Sequence, residues 1–171
     1  ACLLLAADLS NLNGRPEVAE QTVPRGLAAL AGLAARVPES GEAWSRLRRA
    51  LGDFAGDAAD YRDLRSSLLP DVLDRQRGLP ILLSVVWLEV ARRVSIPAYG
   101  IGLPGHFLVG VGAPDSYHQF VDPFSGGRRL RPVDVVGLVE RSTGAALEPT
   151  ALRPWEPVEI LQRILANVRG W

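Results

Sequence analysis

The chain has 171 residues, enough for one domain with a substantial core but not comfortably for two. Hydrophobic residues make up 47%, which excludes a disordered tail, and 19 basic side chains balance 19 acidic ones, which argues against a protein that grips nucleic acid by charge. Every basic residue is Arg, so Schiff-base and lysine-nucleophile chemistry is excluded too. The lone Cys2 leaves no internal disulfide and no multi-thiolate zinc site in this sequence, and a cytoplasmic setting is the expectation. The apolar opening Ala1–Ala7 is too short to span a bilayer and lacks a basic flank. The longest apolar run, Ile81–Val90, is broken by Ser84 and Glu89, so a soluble protein with no membrane partner is expected.

The first half reads as helices. Pro24 opens an Ala- and Leu-rich stretch, Gly26–Val37, that Pro38 ends. Glu42–Phe54 places Trp44, Leu47, Leu51 and Phe54 at spacings of three and four, an amphipathic helix for which Ser40 is a candidate N-cap. Leu64–Leu73 is expected as a further short helix. From Ile81 to Val94 nearly every position is apolar, which predicts a buried helix, and Pro80 suits its first position because the missing N–H is not needed there.

After this helix the pattern changes. Ala98–Leu103, His106–Val111 and Tyr117–Val121 are short segments rich in β-branched and aromatic residues, separated by turn signals at Pro104-Gly105 and Gly112–Ser116. Short turns between strands imply antiparallel neighbours. Asp122-Pro123 ends the last of these strands, Ser125-Gly126-Gly127 makes a bend, and Pro132–Arg141 and Val158–Val168 return to helix. Helices and strands segregated in this way indicate an α+β fold. Residues 1–56 read as a helical N-terminal segment and 57–171 as the core with its C-terminal helices, together one compact domain.

Gly100-x-Gly102-x-x-Gly105 has dinucleotide-fingerprint spacing, but that motif must pass from a strand into a helix. Here His106-Phe107-Leu108-Val109 reads as a strand, so a turn is expected and no cofactor is implied. His106 and His118 are the only histidines. With Asp122 they match the residue types of a two-His-one-carboxylate iron site, yet the spacing fits no local metal motif, and no metal is expected. His106 directly follows a Pro-Gly turn, and Asp122 lies on the next strand. A His oriented by a neighbouring carboxylate is the base half of a nucleophile–His–Asp triad, and is equally a way to satisfy a buried His.

Arg77-Gly78-Leu79-Pro80-Ile81-Leu82-Leu83-Ser84, Leu88–Arg93, Gly102–Val109 and Val121–Gly127 together resemble the SirB1 family, a branch of the transglutaminase-like superfamily. Asp60-Tyr61-Arg62-Asp63, Val72–Arg75 and Ile164-Leu165-Ala166-Asn167 fit it too. The resemblance is good from Phe54 to Asn167 and weak before that. It implies a central helix packed on an antiparallel sheet, as in papain-like and transglutaminase cores. In active relatives a Cys starts the central helix and His and Asp lie on successive strands. Counting back from Ser95-Ile96-Pro97-Ala98, which resembles the superfamily's G-I-P-A, puts Pro80 at the Cys position and His106 and Asp122 at the other two. Proline offers no nucleophile, so thiol transglutaminase or protease chemistry is not expected here. Family members often have Asn where this chain has Ser66 and Pro70, which implies an altered cleft.

The expectation is therefore a binding or regulatory module lacking the Cys nucleophile, with a His-Asp-lined pocket. Pro80, Gly105, Tyr99, His118 and Phe124 are expected to line it, and the ligand is a protein, peptide or small molecule. The alternative is an enzyme of acyl-transfer, amide-hydrolase or small-molecule acid–base type using His106 and Asp122. Ser84 lies one turn beyond Pro80 on the same helix face and could serve as its nucleophile. The structural reading of Ser84 is a back-bond to the Pro80 carbonyl. Cys2 reads as a small buried hydrophobe rather than a displaced nucleophile.

Overall fold

The computed structural model describes residues 1–2 and 16–170. The opening Ala1–Ala7 falls outside the described residues from Leu3 onward. Six α-helices and one four-stranded antiparallel sheet are described, an α+β arrangement, and among the described residues no helix is long and apolar enough to cross a membrane.

Helix α1 spans Pro16–Ala35 and runs through Pro24 instead of starting after it. The cost of an internal proline is a lost hydrogen bond to the carbonyl four residues back. Pro24 and Glu20 both face solvent, so water can take up that carbonyl. Ala19, Thr22, Leu30 and Leu33 form the buried face. Helix α2, Ala43–Leu51, is capped by Glu42 rather than Ser40; Gly41, at φ +115°, holds the chain out of helical geometry until that point. Phe54, just past its end, is fully buried.

The helix expected over Leu64–Leu73 is two elements, a 3₁₀ turn at Leu64–Ser67 and α3 at Leu69–Arg75. Pro70 has no N–H to give the carbonyl of Ser66, so one continuous helix would strand that acceptor. The Ser66 carbonyl instead accepts from the N–H of Leu79, at 2.9 Å. That bond ties the turn to the entrance of α4, Pro80–Arg93, the central buried helix. Pro80 is its first residue, and Leu82, Leu83, Val86, Trp87 and Val90 are fully buried.

Strands β1 (Ala98–Leu103), β2 (His106–Gly112), β3 (His118–Asp122) and β4 (Arg128–Leu130) lie in chain order across the sheet. β4 was not apparent in the sequence, because three residues of which two are exposed arginines carry no apolar pattern. One face of the sheet, through Phe107, Val109, Val111 and Val121, joins the α4 core. The other, through Ile101, Leu103, Leu108 and Leu130, packs on Val135 and Val139 of α5, Pro132–Thr143. Gly100 and Gly102 lie inside β1, where they admit Phe107 and Trp155; a Cβ on Gly102 would stand 2.0 Å from the Trp155 indole. Gly105, at φ +71°, follows Pro104 in the two-residue turn joining β1 to β2. Proline is confined to negative φ, so the positive φ falls on its neighbour, as a type II turn requires. Helix α6, Pro157–Arg169, closes against α4 through the buried Ile164.

Candidate functional site

Three backbone junctions meet at one end of the sheet. The β1–β2 turn delivers His106, the end of β3 delivers Asp122, and the start of α4 delivers Pro80. Antiparallel registry puts Leu103 opposite His106 and Val109 opposite Val121, so the first residue of β2 and the last of β3 share this end. The His106 ring donates through Nε2 to Asp122 Oδ1 at 2.9 Å. With Nε2 committed, Nδ1 is the ring nitrogen left to meet a ligand.

Asp122 is 2% exposed and accepts two further hydrogen bonds, from the N–H of Phe124 (3.1 Å) and the hydroxyl of Ser125 (2.7 Å). Burial pushes its carboxyl up, but the hydrogen bond and charge of His106, together with Ser125 and the Phe124 N–H, outweigh this and hold it below the ordinary value. The loop after it is braced from the core. Gly126 and Gly127 take φ of +64° and +70°, and the N–H of Gly127 returns to the Asp122 carbonyl at 3.0 Å. A Cβ on Gly127 would stand 2.3 Å from the Trp87 ring, and its carbonyl accepts from Trp44 Nε1 at 2.9 Å. The core Trp87 and the half-buried Trp44 thus brace the loop that orients the carboxylate.

A cavity of about 110 Å³ opens beside His106, lined by Pro80, Ile81, Gly105, Tyr61, Arg163 and Asn167, with Leu79 and Phe107 completing the wall. Phe124 stands next to it, seated over Gly56, with its ring 5.8 Å from the His106 ring and 5.8 Å from that of Tyr61, both edge-on. The Tyr61 hydroxyl makes a long contact, 3.5 Å, with the Gly105 carbonyl. Burial pushes the Tyr61 phenol up, the charge of Asp122 pushes it further, and that of Arg163 opposes. Tyr61, Leu79 and Asn167 also line a neighbouring hollow of about 420 Å³.

Of the residues singled out in the sequence, His106, Pro80 and Gly105 line the cavity, while Asp122 and Phe124 stand against it. Tyr99 and His118 do not join them. His106 and Gly112 begin and end β2, and His118 pairs with Gly112, which places it about 20 Å along the strand from His106. There His118 donates through Nδ1 to the Ser116 carbonyl and packs edge-on against Tyr99 and Phe120, and Tyr99 borders a separate apolar groove. The two histidines therefore share no ligand position, and among the described residues no group of three His, Cys, Asp or Glu is placed to hold a metal ion.

Ser84 departs from both readings made of it. It is fully buried, and its Oγ has no hydrogen-bond partner among the described residues, neither His106 nor the Pro80 carbonyl. It sits one helical turn, about 5.4 Å, deeper than Pro80, and that step carries it into the apolar core. Cys2 is half-buried against the core, and burial pushes its thiol up, more than the terminal amine and a backbone hydrogen bond pull it down. Ser66 and Pro70 stand outside the cavity. Ser66 is buried and donates to Asp60 at 2.8 Å, and Pro70 borders a groove along α1.

Sequence reasoning gave no role to Tyr61, Arg163 or Asn167. The available signal was an i, i+4 polar pair, Arg163 and Asn167, on an otherwise amphipathic helix. Tyr61 follows Asp60, a carboxylate 2% exposed that accepts from Arg77 (2.9 Å), Ser66 and the N–H of Asp57 (2.8 Å). That network secures the turn carrying Tyr61 to the cavity.

The profile of the transglutaminase-like superfamily matches residues 22–166. A UPF0162 protein of Xylella fastidiosa (strain Temecula1) is 41% identical over 125 residues, 68% of this chain and 43% of that protein. A UPF0162 protein of Pseudomonas aeruginosa is 43% identical over 107 residues, 61% and 38% of the two chains. F-box only protein 21 of Mus musculus is 27% identical over 122 residues, 67% of this chain and 19% of that protein. The chain thus spans less than half the length of these relatives. No solved structure matches it. A superfamily match across nearly the whole α4–sheet core and its flanking helices leads to one conclusion: the chain belongs to the transglutaminase-like superfamily.

Proposed function

We propose that this chain is a SirB1-type transglutaminase-like domain without the cysteine nucleophile, a cytoplasmic binding or regulatory module whose pocket is built on His106 and Asp122. The observation that carries this reading is Pro80 in the wall of the His106 cavity, at the first position of α4. A helix N-terminus beside an imidazole is where a thiolate would be stabilised, and proline offers no nucleophile there. The His106 ring beside it is tied through Nε2 to an Asp122 carboxylate that Phe124 N–H and Ser125 brace in turn, so the ring is held in one orientation with Nδ1 left for a ligand. The related stretch makes up 43% of one longer protein and 19% of another, which also favours a module that operates within larger chains.

A second reading draws on the same oriented ring: acid–base catalysis on a small molecule through His106 Nδ1. Ser84 does not support an acyl-transfer version of it, being buried without a bond to His106. The test is an NMR fragment and peptide screen with the His106 ring as reporter, paired with a glutamine-peptide and amine assay for ammonia release. Ligands that shift His106 in saturable fashion with no ammonia release fit the module. Ammonia release that His106→Ala abolishes would overturn it in favour of catalysis.

A further inference from the structure

The cavity beside His106 has in its wall a cation that no carboxylate pairs with among the described residues. Arg163 lines the wall, and among the described residues it has no ion pair or hydrogen bond, as is also true of Arg62 at the border of the adjoining hollow, whereas Arg65, Arg75, Arg77, Arg92, Arg93, Arg131 and Arg153 engage carboxylates. Asn167, one turn on, lines the same wall and brings an amide, and Tyr61 brings a hydroxyl. No carboxylate is among the residues lining the cavity. Asp122, which stands against it, already accepts from His106, Ser125 and the Phe124 N–H, and Glu159, one turn before Arg163 on α6, is engaged by Arg153.

Resting on the reading of this cleft as a ligand site, we infer that it takes the carboxylate end of its ligand, with Arg163 and Asn167 as the recognising groups and His106 Nδ1 as the third. Arg presents a planar fork that matches a carboxylate in bidentate fashion, and Asn can donate beside it. Size selects the carboxylate terminus over a whole ligand. Drug-sized sites run to several hundred Å³, whereas this cavity is about 110 Å³. It holds one small functional group. The adjoining hollow, bordered by Tyr61, Arg62 and Asn167, gives the remainder of the molecule a surface on which to lie. A peptide C-terminus and a free small carboxylic acid share this chemistry.

The experiment follows the His106 ring and the Arg163 Nε–H by NMR while the full chain is titrated with acetate, acetamide, inorganic phosphate and N-acetyl-glycyl-glycine. Acetate is expected to saturate both signals, acetamide to bind at least tenfold more weakly, and Arg163→Gln to remove that preference. Arg163→Lys keeps the charge without the fork and should retain only part of it. The acylated dipeptide binding more tightly than acetate points to a peptide C-terminus, and equal binding to a free acid. Acetate and acetamide shifting His106 equally would overturn the carboxylate assignment and leave the binding cleft standing. Phosphate outcompeting acetate would overturn it likewise. Silence of His106 toward every probe would overturn both readings, and an acetate preference that survives in Arg163→Gln would overturn the role of Arg163.

Discussion

Replacing Asp122 by Asn keeps the shape of the side chain and removes its charge. In the wild type the carboxylate is 2% exposed and accepts three hydrogen bonds, from His106 at 2.9 Å, Phe124 N–H at 3.1 Å and Ser125 at 2.7 Å. Asparagine can still accept from His106 and Phe124, and Ser125 can turn its hydroxyl to accept from the new amide. Turning a charged acceptor into a neutral one weakens each bond by about 1 kcal/mol. Relief of the buried charge's desolvation offsets part of that loss. The net expectation is a destabilisation of about 1–2 kcal/mol at pH 7. Asp122→Ala leaves the His106, Phe124 and Ser125 donors facing an empty, buried space and should cost about 3–5 kcal/mol. The pH dependence separates charge from shape. Asp122 is held below its ordinary value, so its contribution is complete above the unfolded carboxylate value of about 3.9. It is lost as pH falls through the lower folded value. Urea unfolding of the wild type and Asp122→Asn should therefore show a midpoint gap at pH 7 that closes in acid, with unchanged slopes. A gap of the same size at pH 7 and at the lowest pH where both proteins fold would refute the reasoning, since the carboxylate charge would then contribute nothing.

Three further outcomes are expected. Gly102→Ala sets a methyl 2.0 Å from the Trp155 indole and should cost about 1–3 kcal/mol by thermal unfolding. Adding Trp155→Ala should make the glycine substitution nearly neutral, and simple additivity of the two would count against the contact. Pro80→Cys puts a thiol at the start of α4 beside His106, and its alkylation by iodoacetamide at pH 7, followed by mass spectrometry, should outpace that of Cys2, whose thiol burial pushes up; equal rates would show that this helix start does not activate a thiol. Asp60→Ala removes a 2%-exposed acceptor from Arg77, Ser66 and the Asp57 N–H, while Arg77 can turn to solvent. A loss of about 2–3 kcal/mol in urea unfolding, accompanied by weaker packing of Tyr61 seen in its NMR signals, is expected.

Local chemistry wrote some of this protein directly into its sequence. α4 was legible because fourteen residues opening with a proline and apolar nearly all round fit only a buried helix. β1, β2 and β3 were legible from β-branched runs punctuated by Pro104-Gly105 and Gly112, whose backbone needs are local. The pairing of His106 with Asp122 was legible too, because a strand–turn–strand order fixes which ends come together. The rest depended on partners far along the chain. α1 runs through Pro24 because Glu20 and Pro24 face water, and Leu64–Leu73 splits because the Ser66 carbonyl finds Leu79. β4 exists because β3 offers it an edge, not because Arg128-Arg129-Leu130 favours extension. Tyr99 and His118 left the predicted pocket because strand register set them at its opposite end, a distance that residue type cannot convey. Arg163 and Asn167 entered it because α6 packs its one buried side chain, Ile164, into the core and so turns the flanking polar pair toward His106. Periodicity and turn chemistry are properties of neighbouring residues and can be read along the chain. Which polar atoms converge on one cavity is set by long-range packing, and only the folded structure decides it.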